Sequence, residues 1–289
     1  MNKKKFTQEL TADGSFTFFS PEFGETFHSH FGARQEAEYK FVRSVRLRSK
    51  ASRPIVRLLD VCYGLGYNTA SALAAIWEVN PHCRVEWVAL EFDPEVPKAA
   101  IASGLLDYWP DDIAALLTKL SNCHYLNNDR ISANILIGDA RSTIQQVQKS
   151  GFQADAIFLD PFSPPNCPQL WTVEFLTLVS SCLKSDGHLA TYSCCAAARS
   201  ALIAAGLSIA STSPVGRRSP GTVASFCGDD LPKLSQKEEE HLLTTAAIPY
   251  RDPHLSDSPE VIIHRRRLEQ QTSTTEPTSH WKKRWSRKS

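Results

Sequence analysis

From Pro54 to Cys227 the chain alternates between short apolar runs, bounded by glycine-rich or polar turns, and longer stretches with apolar residues at helical spacing. That alternation predicts a parallel, doubly wound sheet with helices on both faces. Strands are expected near residues 55–61, 85–91, 133–137, 155–160 and 187–193, with helices from about Pro168 to Lys184 and from Ala196 to Ala205. Runs such as Ala156-Ile157-Phe158-Leu159 are apolar throughout, as strands covered on both faces are. Two further runs, Leu207 to Thr212 and Thr222 to Cys227, flank Pro214-Val215-Gly216-Arg217-Arg218-Ser219-Pro220-Gly221. So short a connection makes them pair antiparallel. The expected fold class is α/β and Rossmann-like: a seven-stranded, mostly parallel sheet with an antiparallel last strand.

The pattern changes outside that core. Residues 1–53 form an N-terminal extension, in which Thr11 to Phe31 reads as a short hairpin and a loop on the substrate side. Residues 54–228 form the core domain, interrupted between the second and third strands by an insert from about Gly104 to Arg130. The insert reads as a small helical piece shaping a pocket mouth. Residues 229–289 form a C-terminal extension, partly disordered, whose stretch Gln270 to His280 is poor in apolar residues and expected to be mobile.

Composition narrows the class. At 289 residues the chain can bury one large core with appendages. No apolar run reaches the length of a membrane span, and Met1 to Lys5 lacks a signal peptide's hydrophobic segment, so a cytoplasmic protein is expected. The eight cysteines, at 62, 83, 123, 167, 182, 194, 195 and 227, contain no C-x-x-C pair, so they read as reduced core residues and not as metal ligands or disulfides. Net charge is +1, but residues 1–53 carry ten Lys/Arg against six Asp/Glu, and residues 261–289 carry eight against two. Basic ends around an acidic core suit a polyanionic partner held at the periphery. Clusters such as His264-Arg265-Arg266-Arg267 and Trp281-Lys282-Lys283-Arg284-Trp285 serve equally well as solvated surface.

Candidate chemistry sits at the strand ends. The run Pro54 to Cys62 leads through Tyr63-Gly64-Leu65-Gly66-Tyr67-Asn68-Thr69 into an Ala/Leu-rich helix. Glycines let a backbone approach a nucleotide ligand, and a helix N-terminus offers unpaired N–H groups to it. With only two glycines, the dehydrogenase pattern G-x-G-x-x-G is not met. The spacing Asp60-x3-Gly64-x-Gly66 resembles instead the first motif of S-adenosyl-L-methionine (SAM) enzymes, and Asp60, Tyr63, Gly64, Gly66 and Asn68 become candidate donor-binding residues. The strand Val85 to Glu91 ends in an acid placed to accept hydrogen bonds from ribose hydroxyls. After Ala133 to Ile137 comes Gly138-Asp139-Ala140, where Asp139, with Ala140 beside it, is assigned to the adenine amino group or, alternatively, to capping the next helix.

Asp160-Pro161-Phe162-Ser163-Pro164 follows the fourth strand and looks like the Asp/Asn-Pro-Pro-Tyr/Phe loop of methyltransferases acting on exocyclic or alkyl amines. An amine attacking a sulfonium methyl must present its lone pair in line. Asp160 and the Pro161 carbonyl are candidates to hold its hydrogens, and Phe162 to pack on a flat substrate face. The plainer reading is a proline-rich turn after a buried strand.

These residues, together with Thr11-Ala12-Asp13-Gly14-Ser15, Phe23-Gly24-Glu25-Thr26-Phe27-His28-Ser29 and Asn166-Cys167-Pro168-Gln169-Leu170-Trp171-Thr172, resemble the methyltransferase half of the bifunctional tRNA 5-methylaminomethyl-2-thiouridine biosynthesis protein, MnmC. The resemblance covers roughly residues 11–227. It implies a class I SAM-dependent methyltransferase that takes its methyl from SAM, without FAD or metal, and methylates the 5-aminomethyl group of the wobble uridine in a tRNA anticodon stem-loop. The family's FAD-dependent half, which needs several hundred more residues, has no counterpart in the sequence. Glu25, His28, Arg217 and Arg218 are then candidates to meet the nucleotide. Alternatives are another amine acceptor, an aminopropyl transfer, or a non-catalytic SAM- or RNA-binding module. Nothing in the chain fixes an oligomeric state, and a monomer is the working expectation.

Overall fold

A computed structural model of the chain describes residues 6–215 and 219–286. Arg217 and Arg218 lie outside the described residues. Strands β1 (Thr7–Leu10), β2 (Phe16–Ser20) and β3 (Glu25–Thr26) make a small antiparallel sheet. The central sheet holds β4 (Ile55–Val61), β5 (Arg84–Glu91), β6 (Tyr125–Asn127), β7 (Ile131–Ile137), β8 (Ala154–Leu159), β9 (Leu183–Thr191), β10 (Ser208–Ser211) and β11 (Thr222–Ser225). Its order is β10-β11-β9-β8-β4-β5-β7-β6.

Five of these strands, β4, β5, β7, β8 and β9, run parallel, while β11 pairs antiparallel with β9 and with β10. The expected seven-stranded arrangement is present. An eighth strand, β6, adds antiparallel to the edge of β7. Its three residues, flanked by polar turns, are too short to show a period in the sequence.

The chain builds outward from β4 in one direction through β5 and β7, then returns to β4's other side for β8 and β9. The reversal opens a crevice at the carboxyl ends of β4 and β8, where open α/β sheets bind their ligands. Two buried layers flank the sheet. One gathers Trp87, Tyr67, Phe41 and Phe158 under the helix Tyr67–Val79 and the N-terminal helical segment Ala37–Val42. The other gathers Trp171, Phe175, Leu59 and Leu189 under the helices Val173–Ser181 and Ala196–Ala204. All six residues of β8 are buried, which fits the apolar run Ala156-Ile157-Phe158-Leu159, and the one charged member, Asp155, is paired with Arg53 and Lys184.

Two expectations outside the core change. The insert forms the helix Asp111–Cys123 and β6, and packs Ile113, Leu117 and Leu120 into the core. None of its described residues lines the main cavity; it acts on that region indirectly, through the Tyr108 hydroxyl that donates to the Gly14 carbonyl at 2.9 Å. The C-terminal extension carries the helices Gln236–His241, Pro259–Thr272 and Thr278–Ser286, so most of the stretch expected to be mobile is helical. Polar contacts replace the missing apolar ones: Arg284 pairs with Glu240 and Glu276, Thr278 Oγ1 accepts from the Ala246 N–H at 3.0 Å, and Trp281 stacks on His241 at 4.2 Å. Two cations of the basic cluster also turn inward. Arg266 donates to the Ile248 and Ala246 carbonyls, and Arg265 to the Arg251 carbonyl and Asp257.

Candidate active site

The carboxyl ends of β4, β5, β7 and β8 open into one cavity of about 1190 Å³, lined among others by Gly64, Glu91, Asp139, Ala140, Asp160, Pro161 and Phe162. Glu25 and His28 of the N-terminal hairpin line it as well. Residues proposed from separate stretches of sequence therefore share a single hollow.

Backbone hydrogen bonds bring the strand ends together. The Asp160 N–H donates to the Val61 carbonyl at 3.0 Å, the Cys62 and Tyr63 N–H groups to Leu90, and the Gly138 N–H to Glu91. Gly64, at φ +58°, occupies the left-handed region, and a Cβ there would meet the Phe27 ring at 3.4 Å. Its N–H donates to Glu91 Oε2 at 2.7 Å, while Glu91 Oε1 accepts from the Asp93 N–H at 2.9 Å. Burial pushes the Glu91 carboxyl up to about 7 despite these donors. The Phe92 N–H adds to these donors, so the turn holds the carboxylate in place at the cavity wall.

Beneath the turn, Asp60 is fully buried, accepts from Thr69 Oγ1 at 2.6 Å, and is likewise pushed up to about 7 by burial. Its Oδ1 is buried without a hydrogen-bond partner. Asp60, Tyr63, Gly66 and Asn68 do not line the cavity. Tyr63 packs on Trp87, and its hydroxyl sits where a Cβ on Gly66 would fall, so Gly66 is needed for packing as well as for its φ of +84°. Asn68 reaches across to the proline loop, where Nδ2 donates to Asp160 Oδ2 at 2.8 Å.

Asp139 caps the helix Ala140–Lys149 by accepting from the Arg141 N–H, and also holds the Arg141 guanidinium at 2.7 Å. Arg141 in turn donates to Asp252, a fully buried residue of the C-terminal extension. That extension supplies Pro259, Glu260 and Ile263 to the same wall of the cavity.

The proline loop is tied down at each residue. The Tyr192 hydroxyl donates to the Pro161 carbonyl at 3.0 Å, and Trp171 Nε1 to the Phe162 carbonyl at 2.8 Å. Glu25 accepts from the Ser163 N–H at 3.0 Å, from the Ser163 hydroxyl and from Asn166 Nδ2 at 2.8 Å. Glu25 therefore fastens the hairpin to the loop. Phe162 stacks on Phe23 at 4.3 Å and meets Phe27 edge-on at 5.0 Å, so Phe27 touches both the glycine turn and the proline loop. His28 is buried against Tyr67, and burial lowers it to about 4, so its ring is neutral at pH 7.

A carboxylate at β5's end, an acid beside a helix start at β7's end and a glycine turn with a buried acid beneath it fit an adenosyl ligand. The cavity wall carries carboxylates and, among the described residues, no Lys or Arg, which suits a sulfonium cation. Sequence reading did not find Tyr192, Phe27, Arg141 or Asp252. Tyr192 follows β9, where the strand-end rule that found Asp160 applies equally; the arm bearing Asp252 gave no such signal.

Comparison with known proteins agrees with this geometry. A family described as S-adenosyl-L-methionine-dependent methyltransferase matches residues 99–226. The uncharacterized protein MJ0670 of Methanocaldococcus jannaschii is 32% identical over 264 residues, covering 89% of this chain and 70% of that protein. The tRNA 5-methylaminomethyl-2-thiouridine biosynthesis bifunctional protein MnmC of Aromatoleum aromaticum is 31% identical over 212 residues, covering 68% of this chain and 32% of that protein. The chain thus matches about a third of the length of such bifunctional relatives. The crystal structure of MNMC2 from Aquifex aeolicus superposes with a TM-score of 0.83 at 35% identity, covering 94% of this chain and 87% of that one. The chain belongs to the MnmC2 family of SAM-dependent methyltransferases.

Proposed function

We propose that this enzyme methylates the primary amine of 5-aminomethyluridine at the wobble position of a tRNA, forming the methylaminomethyl group. The observation carrying this reading is that the glycine turn and Asp160 line one cavity and are joined through Asn68 at 2.8 Å. The names of the bifunctional relatives supply the tRNA and the nucleoside.

SAM supplies an electrophilic methyl on a cationic sulfur. On the protein side, Gly64 and Glu91 would hold the methionine and ribose parts, and Asp139 with the Ala140 backbone the adenine edge. The acceptor amine must be neutral to attack, yet is mostly protonated at pH 7. Asp160 holds one amine hydrogen and takes up or passes on the released proton. The second lone pair of the Pro161 carbonyl accepts another hydrogen, and Phe162, fixed by Phe23 and Phe27, packs on the pyrimidine.

The carboxylate-rich wall supports an amine acceptor and disfavours phosphate inside the cavity. Phosphates would be held at the basic periphery while only the modified base enters. The direct test supplies labelled SAM with tRNA bearing 5-aminomethyluridine, followed by digestion to nucleosides. Label in 5-methylaminomethyluridine is expected and should vanish in Asp160→Asn. Transfer to a small amine with none to tRNA would replace this reading.

A further inference from the structure

We propose that Asn68 serves the acceptor half of the reaction, as the positioning residue that fixes the Asp160 carboxylate, although it sits in the donor-binding motif. The inference rests on the reading of Asp160 given above.

Asn68 is the second residue of the helix Tyr67–Val79, directly after the Gly66 cap, so the turn that shapes the donor pocket also sets its position. Its side chain does not line the cavity and is 3% exposed. Nδ2 donates to Asp160 Oδ2 at 2.8 Å, and Oδ1 is buried with no hydrogen-bond partner among the described residues. A buried carbonyl left unpaired carries a desolvation cost, so the amide holds this orientation for the sake of Asp160. The opposite orientation would set Oδ1 against an ionised carboxylate. Consecutive residues thus divide the work: Thr69 holds Asp60 beneath the turn, and Asn68 holds Asp160 across the crevice.

Two anchors fix Asp160. Its N–H is bound to the Val61 carbonyl, and Asn68 Nδ2 donates to its Oδ2, so both its backbone and its carboxylate are held. A charge-assisted bond also favours the ionised form that the amine needs. Asn68 therefore links the glycine turn to the group that orients the acceptor, across 92 residues of sequence.

The test compares the parent enzyme with Asn68→Ala, Asn68→Ser and Asp160→Asn, measuring S-adenosyl-L-homocysteine affinity by calorimetry and kcat with tRNA from pH 6 to 10. The other titratable groups on the elements around Asp160 include Asp60 on β4 and Cys62 after it, Glu91 on β5, Glu25 on β3, Cys167 beyond the proline loop and Tyr192 after β9, all unchanged in the Asn68 variants. Both Asn68 variants should bind S-adenosyl-L-homocysteine within about three-fold of the parent, which also establishes that they fold. Their kcat at pH 7.5 should fall about ten- to a hundred-fold, with the acid limb moved up by about one to two units, the effect of losing a hydrogen bond to a charged group. Serine is one atom too short to reach Asp160 and is the milder change should alanine unfold the helix start. A folded variant that loses donor affinity more than ten-fold, or keeps the parental pH profile, overturns the inference. Near-parental turnover in Asp160→Asn would instead show that the reading of Asp160 itself was wrong.

Discussion

The Tyr192 hydroxyl, one residue beyond β9, donates to the Pro161 carbonyl oxygen across 3.0 Å. That carbonyl is the group proposed to accept a hydrogen from the amine, and one of its two lone pairs is already engaged. Tyr192→Phe removes only the hydroxyl and leaves the ring packed on Trp171. A neutral hydrogen bond contributes about 1 kcal/mol, so kcat with tRNA should fall about two- to ten-fold while S-adenosyl-L-homocysteine affinity stays at the parental value. Steady-state kinetics beside calorimetry separates the two. A change confined to donor affinity would place Tyr192 on the other side of the reaction.

Glu25, a candidate to meet the nucleotide, lines the cavity and fastens the N-terminal hairpin to the proline loop through Ser163 and Asn166. Glu25→Ala would leave the half-buried Ser163 N–H and hydroxyl without their acceptor, while the exposed Asn166 amide keeps the Phe23 carbonyl. The expected cost is about 2 kcal/mol, a fall in Tm of about 2–4 °C for a chain of this size. Turnover should drop more than stability, because Phe23 and Phe27 lose their hold on Phe162. A calorimetric melt and kcat measured on the same preparation test both parts.

Glu91 should make both stability and donor binding depend on pH. Its ordinary value is 4.5 and burial raises it to about 7 in the folded chain. A carboxyl raised in this way contributes stability that is full below about 4.5 and is lost as pH rises through about 7. The loss approaches about 3 kcal/mol, and Glu91→Gln should remove this component, leaving the Asp60 contribution in place. Hydroxyls arriving on the carboxylate favour its ionised form, so donor binding should release a proton and tighten between pH 6 and 8. Calorimetry in buffers of different ionisation heat counts that proton. An affinity flat with pH would remove Glu91 from the ribose.

The parallel core was legible because β4, β5, β7 and β8 each carry a mostly apolar stretch toward the carboxyl end, such as Val88-Ala89-Leu90 and Ala156-Ile157-Phe158-Leu159. Gly64, Glu91, Asp139 and Asp160 were found together because each terminates such a run, and the sheet's topology brings strand ends to one rim. Asn68 was read by its motif neighbours, yet its direction is set by a helix start whose partner lies 92 residues away. The C-terminal arm was misjudged for a related reason. Its order comes from ion pairs, threonine hydroxyls and scattered buried anchors such as Tyr250, Ile262 and Trp281, which leave no hydrophobic period to read.

That arm reaches the corner proposed to hold the adenine edge through Arg141, whose Nη2 lies 2.7 Å from Asp139 and whose Nη1 lies 2.8 Å from Asp252. Asp252 is fully buried, and its other oxygen accepts from the Ser256 and Asp257 N–H groups, both at 3.1 Å. The arm thereby fixes the guanidinium that orients Asp139, and Pro259, Glu260 and Ile263 complete the wall beside it. Asp252→Asn weakens the buried pair and should cost about 3 kcal/mol of stability, the lower range for such a pair because Arg141 keeps Asp139. A sharper consequence concerns the base. Asp139 accepts hydrogen bonds, so it suits the amino group of adenine and repels the carbonyl that hypoxanthine carries in its place. The parent should bind S-adenosyl-L-homocysteine more than ten-fold more tightly than S-inosyl-L-homocysteine, and the ratio should shrink in Asp252→Asn and in Arg141→Gln. A stability effect without a change in that ratio would mean that the arm braces the fold and that Asp139 serves the helix cap alone.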